Sequence, residues 1–134
     1  AGSTKILHLH GELTKIKSSG DELYIQDIGT QTIKIGDKCP KGYQLRPFIV
    51  WFGEPVPLIN TAIEIVSKAD IFIIVGTSLQ VYPAASLINY VSKQAQIYLV
   101  DPNPEIYSQH TITVIAEPAS TGVKKVINLI SKSI

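Results

Sequence analysis

At 134 residues and 45% hydrophobic composition, the chain is one domain's worth or a piece of a larger one, and it is no disordered tail. Its formal net charge of +1, without a long basic run, gives no support for binding nucleic acid or a membrane surface through charge. A single cysteine, Cys39, excludes an internal disulfide and a cysteine-rich zinc site within the chain.

The lone thiol fits a reducing, cytoplasmic setting. Apolar runs stay far below the roughly 20 residues of a spanning helix, and no secretory signal is legible. The chain opens on Ala1-Gly2-Ser3-Thr4 and contains no Met at all, so an upstream part is expected to be processed away or missing.

In chain order, residues 5–10 (KILHLH) alternate apolar and polar and predict a short strand. Residues 14–45 are rich in Lys, Ser, Gly and Asp. They predict an irregular insert with one weak hairpin around Thr32 to Ile35, with turns at Gly36-Asp37 and Lys41-Gly42. Residues 47–52 (PFIVWF) form an extended apolar run ending at Gly53-Glu54. A regular alternation follows. Residues 58–69 carry Ile59, Ala62, Ile63 and Val66 at helical spacing, and 70–75 (DIFIIV) are β-branched. Residues 83–93 read as a helix with Pro83 in its first turn. Residues 96–100 and 111–115 read as buried strands, and 120–131 as an amphipathic helix capped by Ser120.

Strands apolar on both faces and separated by helices predict an α/β fold with a parallel sheet covered on both sides. Ligands bind such sheets beyond the carboxyl ends of the strands, so the segments after Val75 and Val100 are candidate site loops.

Four segments there and elsewhere carry chemistry. Gly76-Thr77-Ser78-Leu79 offers close backbone approach and two hydroxyls to phosphate or ribose oxygens; the ordinary alternative is a plain strand-to-loop turn. Asp101, ahead of Pro102-Asn103-Pro104, is placed to bond a ribose diol, or else is a solvated turn residue. Of three histidines (His8, His10 and His110), His10 stands beside a glycine at a predicted strand end and suits general-base work. His8 shares its strand parity, which weakens that argument. Finally, residues 46–54 (RPFIVWFGE) suit pairing with a peptide by strand addition, although Ile49 and Trp51 fit a core strand equally well.

Taken in order, LHLHGEL, LRPFIVWFGEPVP, GTSLQVYPA, VDPNP and an Ala-Ser before the last helix resemble the catalytic core of the sirtuin family over nearly the whole chain. That resemblance implies an NAD-dependent protein-lysine deacylase. It places His10 as the base on the NAD ribose hydroxyl, after the acyl oxygen has displaced nicotinamide. It places Gly76, Thr77 and Ser78 against NAD phosphate and ribose. Asp101, where many sirtuins carry Asn, falls against the adenosine ribose, with Glu117 to Ala119 near the adenine. Val50, Phe52, Gly53 and Glu54 fall on one substrate loop, and Leu79, Val81 and Tyr82 on the facing one, with an acyl-lysine peptide added as a strand between them.

The implied architecture is an incomplete Rossmann-like sheet from 1–13 and 46–134, interrupted by the 14–45 insert where the family carries its zinc module. Cys39 is the only residue of that insert suited to zinc, so none is expected, and packing should hold the hairpin as in zinc-free bacterial sirtuins. The family's Gly-rich phosphate loop and its nicotinamide-pocket Asn and Asp are not among the 134 residues. The chain alone is therefore expected to be inactive, to expose a sheet edge and apolar surface, and either to self-associate through that edge or to be the remainder trapped in a crystal after loss of an N-terminal half. Two other readings stay open: a non-enzymatic nucleotide-binding or assembly module of the same fold, and a protein ADP-ribosyltransferase.

Overall fold

The computed structural model describes residues 2–105 and 111–132; His110 lies outside them. They fall into two units, one ending at Leu58 and the other beginning at Ile59.

The first unit is built on an antiparallel sheet in the order β2-β1-β3, with β1 at Gly11–Ser18, β2 at Ile25–Asp27 and β3 at Leu45–Ile49. The expected strand over 5–10 does not form. Its residues reach a turn in which the Gly11 amide donates to the His8 carbonyl at 3.3 Å, and pairing starts only at Gly11. Alternation marks a strand only where a partner is available, and here the partner is β3. Its ladder to β1 matches Gly11 with Ile49 and Glu12 with Phe48, then slips before resuming at Ile16 and Pro47. The residues bulged out between turn elsewhere: the Thr14 carbonyl accepts from the amides of Ile28 and Gly29.

Residues 32–34 are not a strand either. The turn signals hold, with a turn at Ile35-Gly36 and another closing on the single bridge between Lys38 and Gln44. The strand expected over 47–52 starts earlier and ends at Ile49, because Trp51 to Glu54 turn back on themselves. The β1/β3 ladder, with its slip between Glu12 and Ile16, joins residues on both sides of 13/14 and 45/46, and contacts cluster into units divided at 58/59.

The second unit is the expected parallel sheet, β4-β5-β6, with β4 at Ile71–Val75, β5 at Gln96–Val100 and β6 at Ile112–Ile115. β5 is central, and its side chains serve both faces. Ile97 and Leu99 pack with Ile74 of β4, Val66 of helix α1 (Ile59–Val66), and Ile88 and Val91 at a 3-10 helix over Ala84–Tyr90. Tyr98 and Val100 face the other way, onto Val126 of helix α2 (Ala119–Ser131), with Ile115, Val123 and Ile130 around them. Leu99 and Val126 are wholly buried.

Gly122 lets α2 approach this closely, since a Cβ there would stand 2.4 Å from Val100 Cγ1. The helix expected over 83–93 forms over Ala84–Tyr90, in the tighter 3-10 form. Ser120 is not the cap of α2. The helix begins one residue earlier with Pro118 in the cap position and no side-chain capping bond. Among the described residues no helix is long and apolar enough to cross a membrane.

Candidate functional site

In the first unit the candidate base sits at the head of the β1/β3 ladder. Gly11 has φ +84, and a Cβ there would meet the Phe48 carbonyl oxygen at 2.0 Å, so only glycine lets the two backbones meet. One residue earlier, the His10 carbonyl accepts from the Val50 amide at 3.0 Å. His10 is exposed, with no side-chain partner among the described residues. His8 differs. Its Nε2 lies 3.6 Å from Glu12, whose carboxylate also takes Lys15 Nζ at 2.7 Å. The tie that parity left between the two histidines is thus broken by their neighbours.

Beyond Ile49 the chain closes a loop. Arg46 and Glu54 form a two-pronged ion pair, with Nη2 donating to Oε2 at 3.0 Å and Nη1 to Oε1. Nη2 also donates to the Ile49 carbonyl at 3.0 Å, and the guanidinium lies 5.6 Å from the Trp51 ring centroid. The Trp51 amide donates to Glu54 Oε2, and the Glu54 amide returns to the Trp51 carbonyl, each at 3.0 Å. The Arg46 fork, and after it the Trp51 amide, pull the Glu54 carboxyl from its ordinary 4.5 to about 2. Val50 is half-buried beside this turn, Gly53 completes it with φ +87, and Phe52 stands at its tip, 95% exposed.

In the second unit, the register that pairs Val75 with Val100 and Val100 with Ile115 brings three strand ends to one edge. Gly76 leaves β4 with φ +62 and donates its amide to the Val100 carbonyl at 2.9 Å. Thr77 Oγ1 accepts from the Leu79 amide at 3.1 Å, which leaves its hydroxyl proton to donate outward; Ser78 is exposed beside it. Leu79 takes the left-handed conformation at φ 55, and Val81 and Tyr82 follow, both exposed. After β5, Asp101 Oδ1 accepts from the Asn103 amide at 2.8 Å and leaves the second carboxylate oxygen uncommitted. After β6 come Glu117, ion-paired to Lys125, and Ala119 at the start of α2. Gln80 ties the first of these loops to the second through Glu105 at 2.6 Å. No spacing rule flags that bond, or the Arg46–Glu54 pair eight residues apart.

These strand ends belong to an α/β chain of Rossmann-like type: a positive-φ glycine, two candidate hydroxyls and a candidate carboxylate lie at the end of a parallel sheet, where such folds receive ligands. The Sir2 family model matches residues 1–83. The chain is 52% identical to the NAD-dependent protein deacylase of Bacteroides thetaiotaomicron, over 97% of this chain and 58% of that protein. It is 58% identical to the NAD-dependent protein deacylase of Aggregatibacter actinomycetemcomitans, over 78% of this chain and 50% of that one. Its fold superposes on the crystal structure of a Sir2 homolog–NAD complex with a TM-score of 0.82 at 29% identity, covering 98% of this chain and 53% of that one. The chain belongs to the Sir2 family. It spans about half the length of the curated relatives it matches.

Residues 14–45, expected to stand in place of a zinc module, do not offer that metal a fitting ligand set among the described side chains. Ser18 Oγ accepts from the amides of Gly20 and Asp21 at 3.2 and 3.0 Å and donates to the buried Cys39 Sγ at 3.4 Å. One thiol and one hydroxyl, already bonded to each other, are not the four nitrogen or sulfur ligands that structural zinc takes. The Lys41–Asp21 pair at 2.9 Å and the Ser19 amide on the Gln44 carbonyl tie the two turns as well. Polar contacts, rather than the expected packing alone, hold this segment.

Proposed function

We propose that this chain is part of an NAD-dependent protein-lysine deacylase in which His10 is the general base. The observation that carries the reading is the His10 carbonyl bonded to Val50: the candidate base and the candidate peptide loop share one hydrogen bond. An exposed imidazole without a carboxylate partner is free to take a proton from a ribose hydroxyl.

NAD, when bound, supplies the ribose carbon that receives the acyl oxygen as nicotinamide leaves. The donor set fits that co-substrate. Thr77 and Ser78 offer hydroxyl protons to phosphate or ribose, Gly76 supplies the positive φ with which the chain turns into their loop, and Asp101 accepts from ribose hydroxyls. Glu117 and Ala119 fall to the adenine end. Val50, Phe52 and Gly53 on one loop, and Leu79, Val81 and Tyr82 on the other, are assigned to the acyl-lysine peptide. Glu54 serves the same loop through its ion pair. Residues 14–45 we assign to the place of the family's zinc module, and the buried lone thiol supports a cytoplasmic setting.

The test uses the longest form of the protein that the natural gene encodes. Incubation with NAD and an acetyl-lysine peptide should yield deacetylated peptide and nicotinamide in equal amounts by mass spectrometry. An unchanged peptide, or ADP-ribose attached to protein instead, would overturn the reading. The 134 residues hold no Gly-rich phosphate loop, so this chain alone should bind NAD weakly and turn nothing over; micromolar binding by calorimetry would contradict that.

A further inference from the structure

We propose that Arg46 and Glu54 are positioning residues: one clamp that holds residues 47–53 as a preformed loop and presents its unbonded main chain to the acyl-lysine peptide. The inference rests on the deacylase reading and adds to it the device that shapes the peptide loop.

The clamp is visible in how polar groups are spent. Glu54 accepts three hydrogen bonds, two from the Arg46 fork and one from the Trp51 amide. Arg46 adds a bond to the Ile49 carbonyl and lies over the Trp51 ring. The Trp51 carbonyl takes the Glu54 amide, and the Val50 amide is held by His10. What remains without a partner among the described residues is the Val50 carbonyl together with the amides and carbonyls of Phe52 and Gly53. Those are the groups an extended peptide would need in order to add as a strand.

A loop of this length pays ordering entropy on binding unless it is ordered beforehand, and the clamp orders it. Arginine is the residue that does this, because its planar fork meets both carboxylate oxygens, whereas a lysine ammonium meets one. The pair is half-buried, and the low Glu54 pKa keeps it ionised throughout the neutral range.

The experiment measures steady-state kinetics of Arg46→Lys, Glu54→Gln and the charge swap Arg46→Glu/Glu54→Arg in the longest natural form, varying peptide and NAD separately. Both single variants should raise the peptide KM about tenfold while the NAD KM stays within about twofold. The swap restores the ion pair but neither the donation to the Ile49 carbonyl nor the acceptance from the Trp51 amide, so it should recover only part of the loss, with thermal unfolding little changed. An unaltered peptide KM in both single variants would overturn the clamp. So would peptide and NAD KM rising together with a lowered melting temperature, which marks a merely structural pair. If the native protein turns over no acyl peptide, the deacylase reading itself fails, and the clamp's role with it.

Discussion

The Val50 amide and the His10 carbonyl close the β1/β3 ladder at 3.0 Å, one step beyond the Gly11–Ile49 rung. The glycine between them makes this possible. Gly11→Ala would place a methyl 2.0 Å from the Phe48 carbonyl oxygen, in a left-handed conformation that alanine disfavours. We expect that variant to lose about 2 kcal/mol or more in denaturant unfolding. It should also free the Val50 amide to exchange with solvent. Unchanged stability together with a still-protected Val50 amide would show that the close approach is not real.

Acid should weaken the fold in a defined window. The carboxyls of Glu54, Asp21 and Glu117 are all held below their ordinary values, chiefly by Arg46, Lys41 and Lys125 respectively. A depressed folded pKa means the unfolded chain binds more protons, so the stabilisation is fully present above the unfolded pKa and is lost as pH falls. For Glu54 the window runs from 4.5 down to about 2. Chemical denaturation should find stability flat above pH 5, falling below about pH 4.5 and less steeply so in Glu54→Gln. All three pairs are partly exposed, so added salt should shrink the effect. An acid limb identical in Glu54→Gln would contradict the assignment.

Asp101 carries two duties, the turn bond to Asn103 and the proposed contact with ribose. Asp101→Asn keeps an acceptor for both, so the NAD KM should move by about threefold or less. Asp101→Ala loses both and should raise it about tenfold. Kinetics with NAD varied in the longest natural form separate the two outcomes; an unaltered KM in the alanine variant would remove Asp101 from the site.

Much of this was readable in the sequence, for reasons that differ between the two units. The runs DIFIIV and QIYLV read correctly as parallel strands because short β-branched and apolar runs have that use; β5 is buried on both faces as such a run implies, whereas β4 leaves one face exposed. The loops after them followed from where such sheets bind ligands. The first unit resisted because its pairings are non-local: β1 meets β3 across more than twenty intervening residues, and the slip between Glu12 and Ile16 breaks the period of two on which strand reading depends. KILHLH alternates without a partner. Ser120 looked like a cap, but the rigid Pro118 starts the helix earlier. The Arg46–Glu54 pair and the Ser18–Cys39 contact were invisible because each joins residues at spacings that no local rule connects.

The open side of β4 has its own consequence. Among the described residues β4 pairs only with β5, and Ile71, Ile73 and Val75 are 37%, 38% and 41% exposed on the face shared with Tyr98 and Val100. The 134-residue chain should therefore self-associate in sedimentation velocity, and Ile73→Lys should return it towards monomer. A native chain that sediments as a monomer at every accessible concentration would contradict this.

The most direct test of the central claim is NAD-dependent deacylation by His10→Ala in the longest natural form, followed by nicotinamide release and loss of the acyl group. Removal of a general base should slow turnover by about 10²–10⁴-fold, with the peptide KM little changed and His8→Ala close to native. Normal deacylation by the His10→Ala protein would contradict the account.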